Sequence, residues 1–588
     1  MTTSRWSRGL LDEEQSLRQI ASPRSGWSTS LVLLVLAATT LSGQVVRGTV
    51  RDSASAIPIP GTVVILVNAA GQPIARTLST RTGEFVLSQV TGASRLRGLH
   101  IGFRPVEMPL VPQDARDTTR IEIRMARLPT LLEPISVTAQ GCPRVDDQRS
   151  VIALLEQARA ALLASVVARE TKLGHIVAYT FRRVLQDAGE EIERQSVRTR
   201  SLDDAARSFV ATRRGREFAD DGFVGQASDG HEIYYAPDAE TLLDDDFIKS
   251  YCFRLIKSPS ASRTSELGLA FSPASRRRDR VDIDGVLWVD TLARRVRDLE
   301  FKYIGLDSRL QRYSPNGAIS FAEMPNGLVI VDRWRLRLIG SRIDSVPRIT
   351  ARRVDTAERL VILAEEVGGE VARADWGPGD SWRGSLGSLN LVATTRSGNI
   401  AGNAILDFPG TPYRGTTSST GILRVTDVVP GPYDVMVADP RLTALALEIP
   451  TGLRVVAVRD SNISATVVVP SAEEYVVDRC IADRRHGPVD SLFLFARVMT
   501  KNGQPLQGAR WAVSKPLGPA NAAAAWKDIR YGGITGSDGL LQFCTDQVAL
   551  HQTIRLTVML DGFRAFERVF QPNEPLTVIR IEMERNPR

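Results

Sequence analysis

The chain has 588 residues, with 74 basic and 67 acidic side chains, a formal net charge of +7 and 43% hydrophobic residues. This composition excludes wholesale disorder and collagen-like repeats, and the length predicts about three to five domains. Four cysteines are too few for a disulfide-dense mini-protein, and five histidines leave few ligands for zinc. The basic residues are dispersed among acidic ones, so the charge does not predict binding to nucleic acid.

The N-terminal segment carries the features of an export signal. Residues 31–41 (LVLLVLAATTL) form an apolar run of signal-peptide length, too short for a comfortable transmembrane helix. Arginines precede the run, and the small residues Ser42 and Gly43 favour cleavage just before Gln44. Because Gln44 stands where a lipoprotein would carry cysteine, we expect no lipid anchor. We predict a signal peptide over 1–43 and an exported protein in the periplasm or at the cell surface, with outer-membrane association left open.

Short alternating strands begin directly after this segment. Apolar and polar residues alternate in five runs that are bounded by glycine, proline and aspartate: VVRGTVRD, IPIPGTVVILV, TRTGEFVLSQV, HIGFRPVEMPL and RIEIRMARL. Alternation with a period of two is typical of strands that bury one face. The pattern predicts an antiparallel β-sandwich over residues 44–130.

The same order of strands and turns returns twice in the chain. Residues 495–583 repeat it and share a Gly-Phe-Arg triplet, which is found at 102–104 and at 562–564. A weaker copy lies at 389–470. A repeat of about 90 residues indicates duplicated domains, since a unit of this length can bury a core alone. We predict a second, divergent sandwich over 388–475 and a third over 476–588.

The repeated motifs resemble the carboxypeptidase regulatory-like domain, which has a prealbumin-like sandwich of seven strands. Gly83, Gly421 and Gly539 follow the strand-turn pattern of that family, at a position where positive φ lets the chain reverse. The resemblance implies a binding or scaffolding module, with no catalytic residues and no cofactor. The expected fold class is therefore mainly β and multidomain: three prealbumin-like or Ig-like sandwiches and a central α+β domain.

A linker is predicted at 131–145. Its LLEPISVTAQ sequence, at 131–140, resembles the segment that joins such modules to the plug of TonB-dependent receptors. A helix follows, and too few residues remain for a 22-stranded barrel beside the other domains. The chain thus resembles the N-terminal extension of these receptors without plug or barrel. A TonB-linked outer-membrane accessory is accordingly one alternative function.

The middle region, residues 146–370, is predicted to be an α+β domain, followed by a linker at 371–387. One apolar stripe marks a helix at 146–170 and alternation marks the strands; the predicted elements are a short helix at 239–251 and strands at 175–186, 192–202, 267–273, 280–290, 296–306 and 326–340. The run GVLWVDTLARRVRDLEFKYIG resembles hairpins of envelope proteins with half-barrel or LolA-like sheets. The strand spacing itself favours a plain β-sandwich, and lipid carriage in a half-barrel stays an alternative.

Catalytic and metal-binding motifs are missing from the sequence. There is no zinc-peptidase His-x-x-Glu pair, nucleophile elbow, Walker loop or dinucleotide fingerprint. The acidic run at 244–246 lacks the spacing of a calcium loop and is interpreted as the first turn of a helix. Two acids, Glu300 and Asp290, are considered for glycoside hydrolysis, but nothing in their spacing supports the pair. We assign no catalytic, cofactor or metal residue and predict that the protein is not an enzyme; a hydrolase with its site in the central domain is an alternative.

Aromatic residues are a possible lining for a sugar or peptide groove. The candidates are Trp288, Trp334, Tyr303, Trp382 and Trp511. Alternating strands surround Trp288 and Trp334, and this pattern favours core packing.

The four cysteines are Cys142, Cys252, Cys480 and Cys544. In an exported protein an even number of cysteines favours disulfides. Pairing by region predicts Cys142–Cys252 in the middle domain and Cys480–Cys544 in the last module. Four buried free thiols are the alternative.

Taken together, these features predict an exported envelope protein that acts as a binding or scaffolding module. Its partner is a protein or a carbohydrate of the envelope, and no nucleic acid. Membrane contact is expected only through the N-terminal signal or an outer-membrane partner. Sandwich edges are suited to binding an extended peptide by strand addition.

Overall fold

The structure is a computed structural model, and it describes residues 45–88, 91–110, 119–128, 145–170, 175–186, 189–202, 215–226, 232–275, 280–350, 353–375, 379, 381–482, 492–518, 525–545 and 548–586. The chain divides into two compact units, Met1–Ser385 and Leu386–Arg588. The predicted signal peptide and the LLEPISVTAQ segment lie outside the described residues. Across the described residues, no helix is both long enough and apolar enough to cross a membrane.

The first sandwich packs two sheets against each other. Its strands are β1 (Val46–Asp52), β2 (Val63–Val67), β3 (Pro73–Leu78), β4 (Glu84–Leu87), β5 (Arg95–Leu99), β6 (Val106–Pro109) and β7 (Thr119–Met125). One sheet has the order β4-β1-β7, in which β1 runs antiparallel to β4 and parallel to β7. The other sheet has the order β3-β2-β5-β6. Alternate residues such as Val50, Leu66, Phe85 and Ile123 fill the core between the sheets.

The central domain is built on one antiparallel sheet of ten strands, with the order β12-β13-β14-β15-β16-β17-β18-β8-β9 and β19 paired to β18. Its strands are β8 (His175–Leu185), β9 (Ile192–Leu202), β12 (Tyr251–Lys257), β13 (Glu266–Pro273), β14 (Asp282–Asp290), β15 (Arg295–Ile304), β16 (Asn316–Glu323), β17 (Val329–Thr350), β18 (Arg353–Asp375) and β19 (Ser381–Arg383). The helices are α1 (Val145–Glu170), α2 (Gly215–Asp221), α3 (Ala239–Leu243), α4 (Asp245–Ser250) and α5 (Ser308–Gln311), and β10 (Val224–Gln226) pairs with β11 (Glu232–Tyr234).

This arrangement differs from the plain β-sandwich that the strand spacing favours. One face of the sheet is covered by α1 to α4, whose apolar residues share a single core cluster with those of the strands. The domain is α+β, as predicted, because helices rather than a second sheet cover its apolar face. The predicted linker at 371–387 also belongs partly to this sheet. Val371, Ala372 and Ala374 are buried in β18, and β19 pairs beside it.

The helix predicted at 239–251 is divided at Asp244. The Asp244 carboxylate accepts hydrogen bonds from the backbone N–H groups of Asp246 and Phe247, at 2.8 and 3.3 Å. It therefore caps α4 and ends α3. The acidic run at 244–246 thus lies in a cap and the first turn of a short helix.

The second unit contains two further pairs of sheets with the connectivity of the first. Sheets β23-β20-β26 and β22-β21-β24-β25 form one pair, and sheets β30-β27-β33 and β29-β28-β31-β32 form the other. The elements are β20 (Gly387–Thr394), β21 (Ile405–Asp407), β22 (Arg414–Thr416), β23 (Ile422–Val428), β24 (Gly431–Val437), α6 (Pro440–Thr443), β25 (Ile449–Ala457), β26 (Asn462–Val468), α7 (Ala472–Ala482), β27 (Leu492–Thr500), β28 (Arg510–Pro516), β29 (Trp526–Ile534), β30 (Leu540–Thr545), β31 (Ile554–Met559), β32 (Phe566–Phe570) and β33 (Leu576–Met583). The mainly β, multidomain fold class predicted from the sequence is confirmed.

Three turn glycines have the same geometry in the three sandwiches. Gly83, Gly421 and Gly539 have φ of 75°, 75° and 68°. Each carbonyl accepts a hydrogen bond of 2.8 Å from the first strand of its own sandwich. A Cβ atom at these positions would lie 2.6, 2.8 and 2.4 Å from a backbone oxygen of that strand. Both the φ angle and the close approach therefore require glycine.

We predict that Gly421→Ala destabilises the protein more than Gly398→Ala. Both glycines have positive φ, but a Cβ at position 398 meets no atom within 4 Å, whereas at 421 it would clash with the Ala393 carbonyl oxygen. Strain in φ costs about 1 kcal/mol at both sites, and the clash should bring the Gly421→Ala loss to about 2–3 kcal/mol. Denaturant unfolding of the two variants measures the difference, and equal losses would contradict the prediction.

Candidate functional site

Helix α1 is buried on two sides. Leu154, Ala158 and Leu162 belong to the core cluster beneath the ten-stranded sheet. Ala164 and Val167 belong to a second cluster, which α1 forms with the first sandwich. The sequence predicted a single apolar stripe, so the second contact face is a feature that sequence reasoning missed. A helix with apolar residues on two sides needs cover on both.

Strand β2 supplies the opposite surface of this second cluster. All five of its residues, VVILV, are buried. Val64 and Leu66 point into the core of the sandwich, while Val63, Ile65 and Val67 pack with α1. A strand buried on both faces is a continuous apolar run instead of an alternating one, and this run is the signal that could have identified the docking face.

The loop at 100–103 of the sandwich also contacts the central domain, through apolar packing and hydrogen bonds. Ile101 belongs to the core cluster of the large sheet. The Gly102 N–H donates to Oε1 of Gln157 on α1 at 2.6 Å, and Gln157 Nε2 donates to the Phe103 carbonyl at 3.5 Å. The corresponding Gly562 of the last sandwich has the same φ of 81°, but a Cβ there would meet nothing within 4 Å.

His100 lies in the same loop and is partly buried. Its Nδ1 is 2.7 Å from the Ile101 carbonyl oxygen. Burial lowers the pKa of His100, and the nearby Arg294 guanidinium lowers it further. The folded junction therefore favours the neutral imidazole.

The face of the large sheet opposite α1, which we call the outer face, carries polar residues in rows that cross the strands. The register places three rows side by side from β15 to β8: Asp298-Ser320-Arg333-Glu370-Tyr179, Glu300-Ala318-Arg335-Gly368-Phe181 and Lys302-Asn316-Arg337-Glu366-Arg183. Residues of opposite charge thus lie directly across from each other at Arg333–Glu370, Arg337–Glu366 and Glu366–Arg183, and such cross-strand pairs stabilise a sheet.

One part of the outer face is held by Arg183. Its guanidinium lies 4.0 Å from the centre of the Phe181 ring, donates to Gln195 at 2.6 Å and pairs with Glu366. The Phe181 ring in turn lies over Gly368, where a Cβ would be 2.2 Å from the ring. These contacts fix the side chains of β8 and β18 in one arrangement.

A second network holds the opposite part of the same face. Ser320 Oγ donates to Asp298 at 2.7 Å, and Arg333 donates to Ser320 Oγ at 2.9 Å. Arg263 pairs with Asp298 and, at 3.1 Å, with the buried Glu266. The network links β15, β16 and β17 through hydrogen bonds between side chains and reaches β13 through the Arg263–Glu266 ion pair.

Exposed charges lie between the two networks. Glu300 and Arg335 keep 55% and 46% of their side-chain surface accessible, and Lys302 is exposed as well. Arg335 Nη1 makes two long contacts, of 3.5 Å to Asn316 Oδ1 and 3.5 Å to Glu366 Oε2. The small residues Ala318 and Gly368 flank Arg335 in its row. The outer face therefore offers exposed charges of both signs.

The two acids considered for glycoside hydrolysis do not form a pair. Asp290 is buried and accepts hydrogen bonds from the backbone N–H groups of Leu292 and Ala293, at 3.1 and 2.9 Å. Glu300 lies opposite Val286, four residues along β14 from Asp290. That offset is about 13 Å of strand, whereas paired glycosidase carboxylates lie about 5–9.5 Å apart. Within the described ranges, no three metal-ligating side chains are grouped as a metal site.

The aromatic candidates do not line a groove. Trp288, Trp334, Tyr303 and Trp511 are buried, and Trp382 packs against a core cluster. Apolar residues of the helices and the large sheet share one core cluster, and a cavity described between them has room for about one water molecule. A lipid carrier requires an open apolar cavity. The buried aromatic residues and the small cavity described here do not support that alternative.

The cysteines are described in part. Cys252 lies in β12 and Cys544 in β30, and neither is a free thiol. Cys142 lies outside the described residues, as does the side chain of Cys480 in α7. The pairs Cys142–Cys252 and Cys480–Cys544 therefore stay predictions.

Comparison with known proteins identifies the first sandwich. Residues 45–126 match the family model of the carboxypeptidase regulatory-like domain, which confirms the resemblance drawn from the strand and turn motifs. No curated protein matches the sequence.

Similar solved structures include the Bacillus anthracis TIE protein, 10% identical over 61% of this chain and 64% of that chain, with a TM-score of 0.14. A streptococcal ancillary pilin is 14% identical over 47% of this chain and 82% of that chain, with a TM-score of 0.14. Wild-type catechol 1,2-dioxygenase of Acinetobacter radioresistens is 16% identical over 14% of this chain and 36% of that chain, with a TM-score of 0.11. The chain spans less than two thirds of the TIE protein and the dioxygenase. Similarities of this size carry no argument about function.

We predict that Ile65→Asp releases the first sandwich from α1. The substitution places an unpaired carboxylate in the apolar cluster between β2 and α1, at a cost of about 3 kcal/mol or more. Hydrogen exchange should show lost protection in β2 and α1, while β1 and β7 keep theirs. Val86→Asp is the control because Val86 is 51% exposed in the same sandwich. Unchanged protection in Ile65→Asp would contradict the docking role of β2.

We also predict that His100 makes the junction sensitive to acid. Because its pKa is lowered in the folded protein, the unfolded chain binds the proton more readily, and stability falls as the pH drops below about 6.5. His100→Gln removes this contribution. Thermal unfolding at pH 8 and pH 5 should show a smaller loss for His100→Gln than for the wild type. Parallel pH profiles for the two proteins would contradict the prediction.

Proposed function

We propose that this is an exported, non-catalytic protein of the bacterial cell envelope that binds a protein partner on the outer face of its central sheet. The observation that carries the proposal is the exposed pair of charges, Glu300 and Arg335, set between two fixed side-chain networks on that face. Preorganised charges of both signs give specificity because only a partner with complementary charges avoids a desolvation cost.

A protein partner fits this face better than a carbohydrate. Carbohydrate sites use exposed aromatic rings, and the candidate aromatic residues of this chain are buried or packed against the core. The outer face instead offers ion-pairing groups such as Arg335, Glu300 and Lys302. Arginine is also a residue type that is enriched at protein interfaces.

The sandwiches have a scaffolding role in this proposal. Their cores are filled by their own strands, and the first one is docked on α1 through β2. A rigid support of this kind keeps a binding face preorganised, which lowers the entropy cost of association. The apolar run at 31–41, which has the length of a signal-peptide hydrophobic region, supports export.

The proposal is tested by fractionation and affinity capture. The protein is expected in the envelope fraction, where the immobilised full chain captures a protein partner after cross-linking. Arg335→Glu reverses an exposed charge of the outer face and should reduce the amount of captured partner about tenfold or more, since about 1.4 kcal/mol corresponds to tenfold in affinity.

The matched control is Arg424→Glu, which reverses an exposed arginine on β23 of the second sandwich. It should capture as much partner as the wild type. Equal capture by the Arg335→Glu variant would overturn the assignment of the binding face. A cytoplasmic location, or binding to a glycan array without any protein partner, would overturn the function.

A further inference from the structure

Strand β9 forms one edge of the large sheet. It has 11 residues and pairs with β8, and among the described residues no strand pairs with its other side. We call residues 194–200 of this strand the β9 edge, and at about 3.3 Å per residue it is about 23 Å long. It contains neither proline nor glycine, which interrupt or weaken a strand. A regular edge of this length is a template for a further strand.

Three arginines lie on one face of the β9 edge. Arg194, Arg198 and Arg200 are separated by even numbers of residues, so their side chains fall on the same side of the strand. The register places them opposite uncharged residues of β8. Arg194 and Arg198 are exposed, and Arg200 is half-buried. Across the part of the chain that the structure describes, their guanidinium groups have no ion-pair or hydrogen-bond partner.

This row differs from the charges at the opposite edge of the sheet. Strand β12 carries exposed Arg254 and Lys257, which are three residues apart and therefore lie on opposite faces. Scattered charges of this kind suffice to discourage edge-to-edge aggregation. On the β9 edge the like charges stand in one row instead, and like charges directly across from each other destabilise a sheet. The row therefore disfavours a basic strand beside it and favours an acidic one.

The opposite face of the edge is fixed by the rest of the sheet. Gln195 and Val197 are buried there, and Gln195 accepts a hydrogen bond of 2.6 Å from Arg183. Val197 lies opposite Phe181, which is buried as well. These contacts hold β9 in register on β8. An edge that is already ordered lowers the entropy cost of binding a further strand.

We propose that the β9 edge binds an extended polypeptide segment with acidic side chains at alternate positions, as an additional strand of the ten-stranded sheet. Alternate side chains of a strand repeat about every 7 Å, which is the spacing from Arg198 to Arg200 and half of that from Arg194 to Arg198. Carboxylates of the segment therefore reach all three arginines. Backbone hydrogen bonds supply affinity, and the charge-assisted hydrogen bonds to the arginines supply specificity.

Peptide binding to the full chain tests the proposal first. The probe is a fluorescently labelled, acetylated peptide of alternating valine and glutamate, about nine residues long, which is a common strand length. Fluorescence anisotropy should show binding of this peptide, and no binding of the peptide with lysine in place of glutamate. Arg198→Glu should weaken binding about tenfold or more, whereas Arg198→Lys keeps the charge and should retain most of it.

The matched control is Arg424→Glu, which reverses an exposed arginine on β23, also an edge strand. It should bind the glutamate peptide as tightly as the wild type does. Absence of binding to the wild type, or equal weakening by Arg198→Glu and Arg424→Glu, would overturn the proposal.

A charge exchange tests the row of arginines. The triple variant Arg194→Glu, Arg198→Glu and Arg200→Glu should lose the glutamate peptide and bind the lysine peptide instead. This reversal would not occur if the substitutions merely unfolded β9. A triple variant that binds neither peptide, or still prefers glutamate, would overturn the assignment of the acidic side chains to this row.

N-methylation of the peptide distinguishes strand addition from a purely electrostatic contact. Successive backbone N–H groups of a strand point to opposite sides. One peptide is methylated at the valine nitrogens and a second at the glutamate nitrogens, so only one of them loses the hydrogen bonds to β9. One methylated peptide should bind at least about tenfold more weakly than the other. Equal binding of the two would overturn strand addition.

This inference does not rest on the proposed function. Arg335→Glu, which tests partner binding on the outer face, should leave binding of the glutamate peptide unchanged. Arg198→Glu should in turn leave capture of the outer-face partner unchanged. Loss of peptide binding in Arg335→Glu would overturn the assignment of the peptide to the β9 edge.

Discussion

The burial of α1 on two sides is the constraint on which the first unit depends. Its Leu154 and Leu162 complete the core of the ten-stranded sheet, and its Val167 meets the outward side of β2 in the first sandwich. Burying an apolar side chain of this size stabilises the fold by about 1.5–3 kcal/mol. Exposing either side of the helix to water would therefore destabilise the protein. The helix thus joins two sheets that would each have an uncovered apolar face. The hydrogen bonds of Gln157 to the loop at 100–103 set the orientation of the sandwich on that helix.

The first and last sandwiches share one fold, but the outward-facing residues of their second strands, β2 and β28, differ. This difference decides whether the strand can dock on another element. In β2 the outward residues are apolar and α1 covers them. The corresponding β28 begins with exposed Arg510 and ends with Lys515 and Pro516, which are not residues of an apolar docking face. The inward residues of both strands remain apolar, because each sandwich still needs its own core. Docking is therefore a property of the outward residues, and the shared connectivity does not predict it.

The sequence predicted elements better than contacts between them. Alternation located β8, β9 and β15 nearly to their ends, since each buries mainly one face. It missed β18, where Gly368 and Gly369 interrupt the apolar pattern because the rings of Phe181 and Trp334 occupy the space of their side chains. It also missed the outer face: the arginines at 333, 335 and 337 alternate visibly, but their partners on β18 are set by a hairpin register that no local pattern contains. The candidate pair of Glu300 and Asp290 failed for the same reason, because proximity in the sheet depends on register and not on residue type.

The outer face depends on the pairing of two long strands, β17 and β18. Inside the sheet, β17 and β18 are held by neighbours on both sides, and apolar burial on the α1 face supports the charge rows on the other. Beyond Arg337 on β17 and Ala364 on β18 these neighbours end, and only the pairing of β17 with β18 continues. The charge rows of the outer face therefore end where the neighbouring strands end, because a row needs residues of adjacent strands in register.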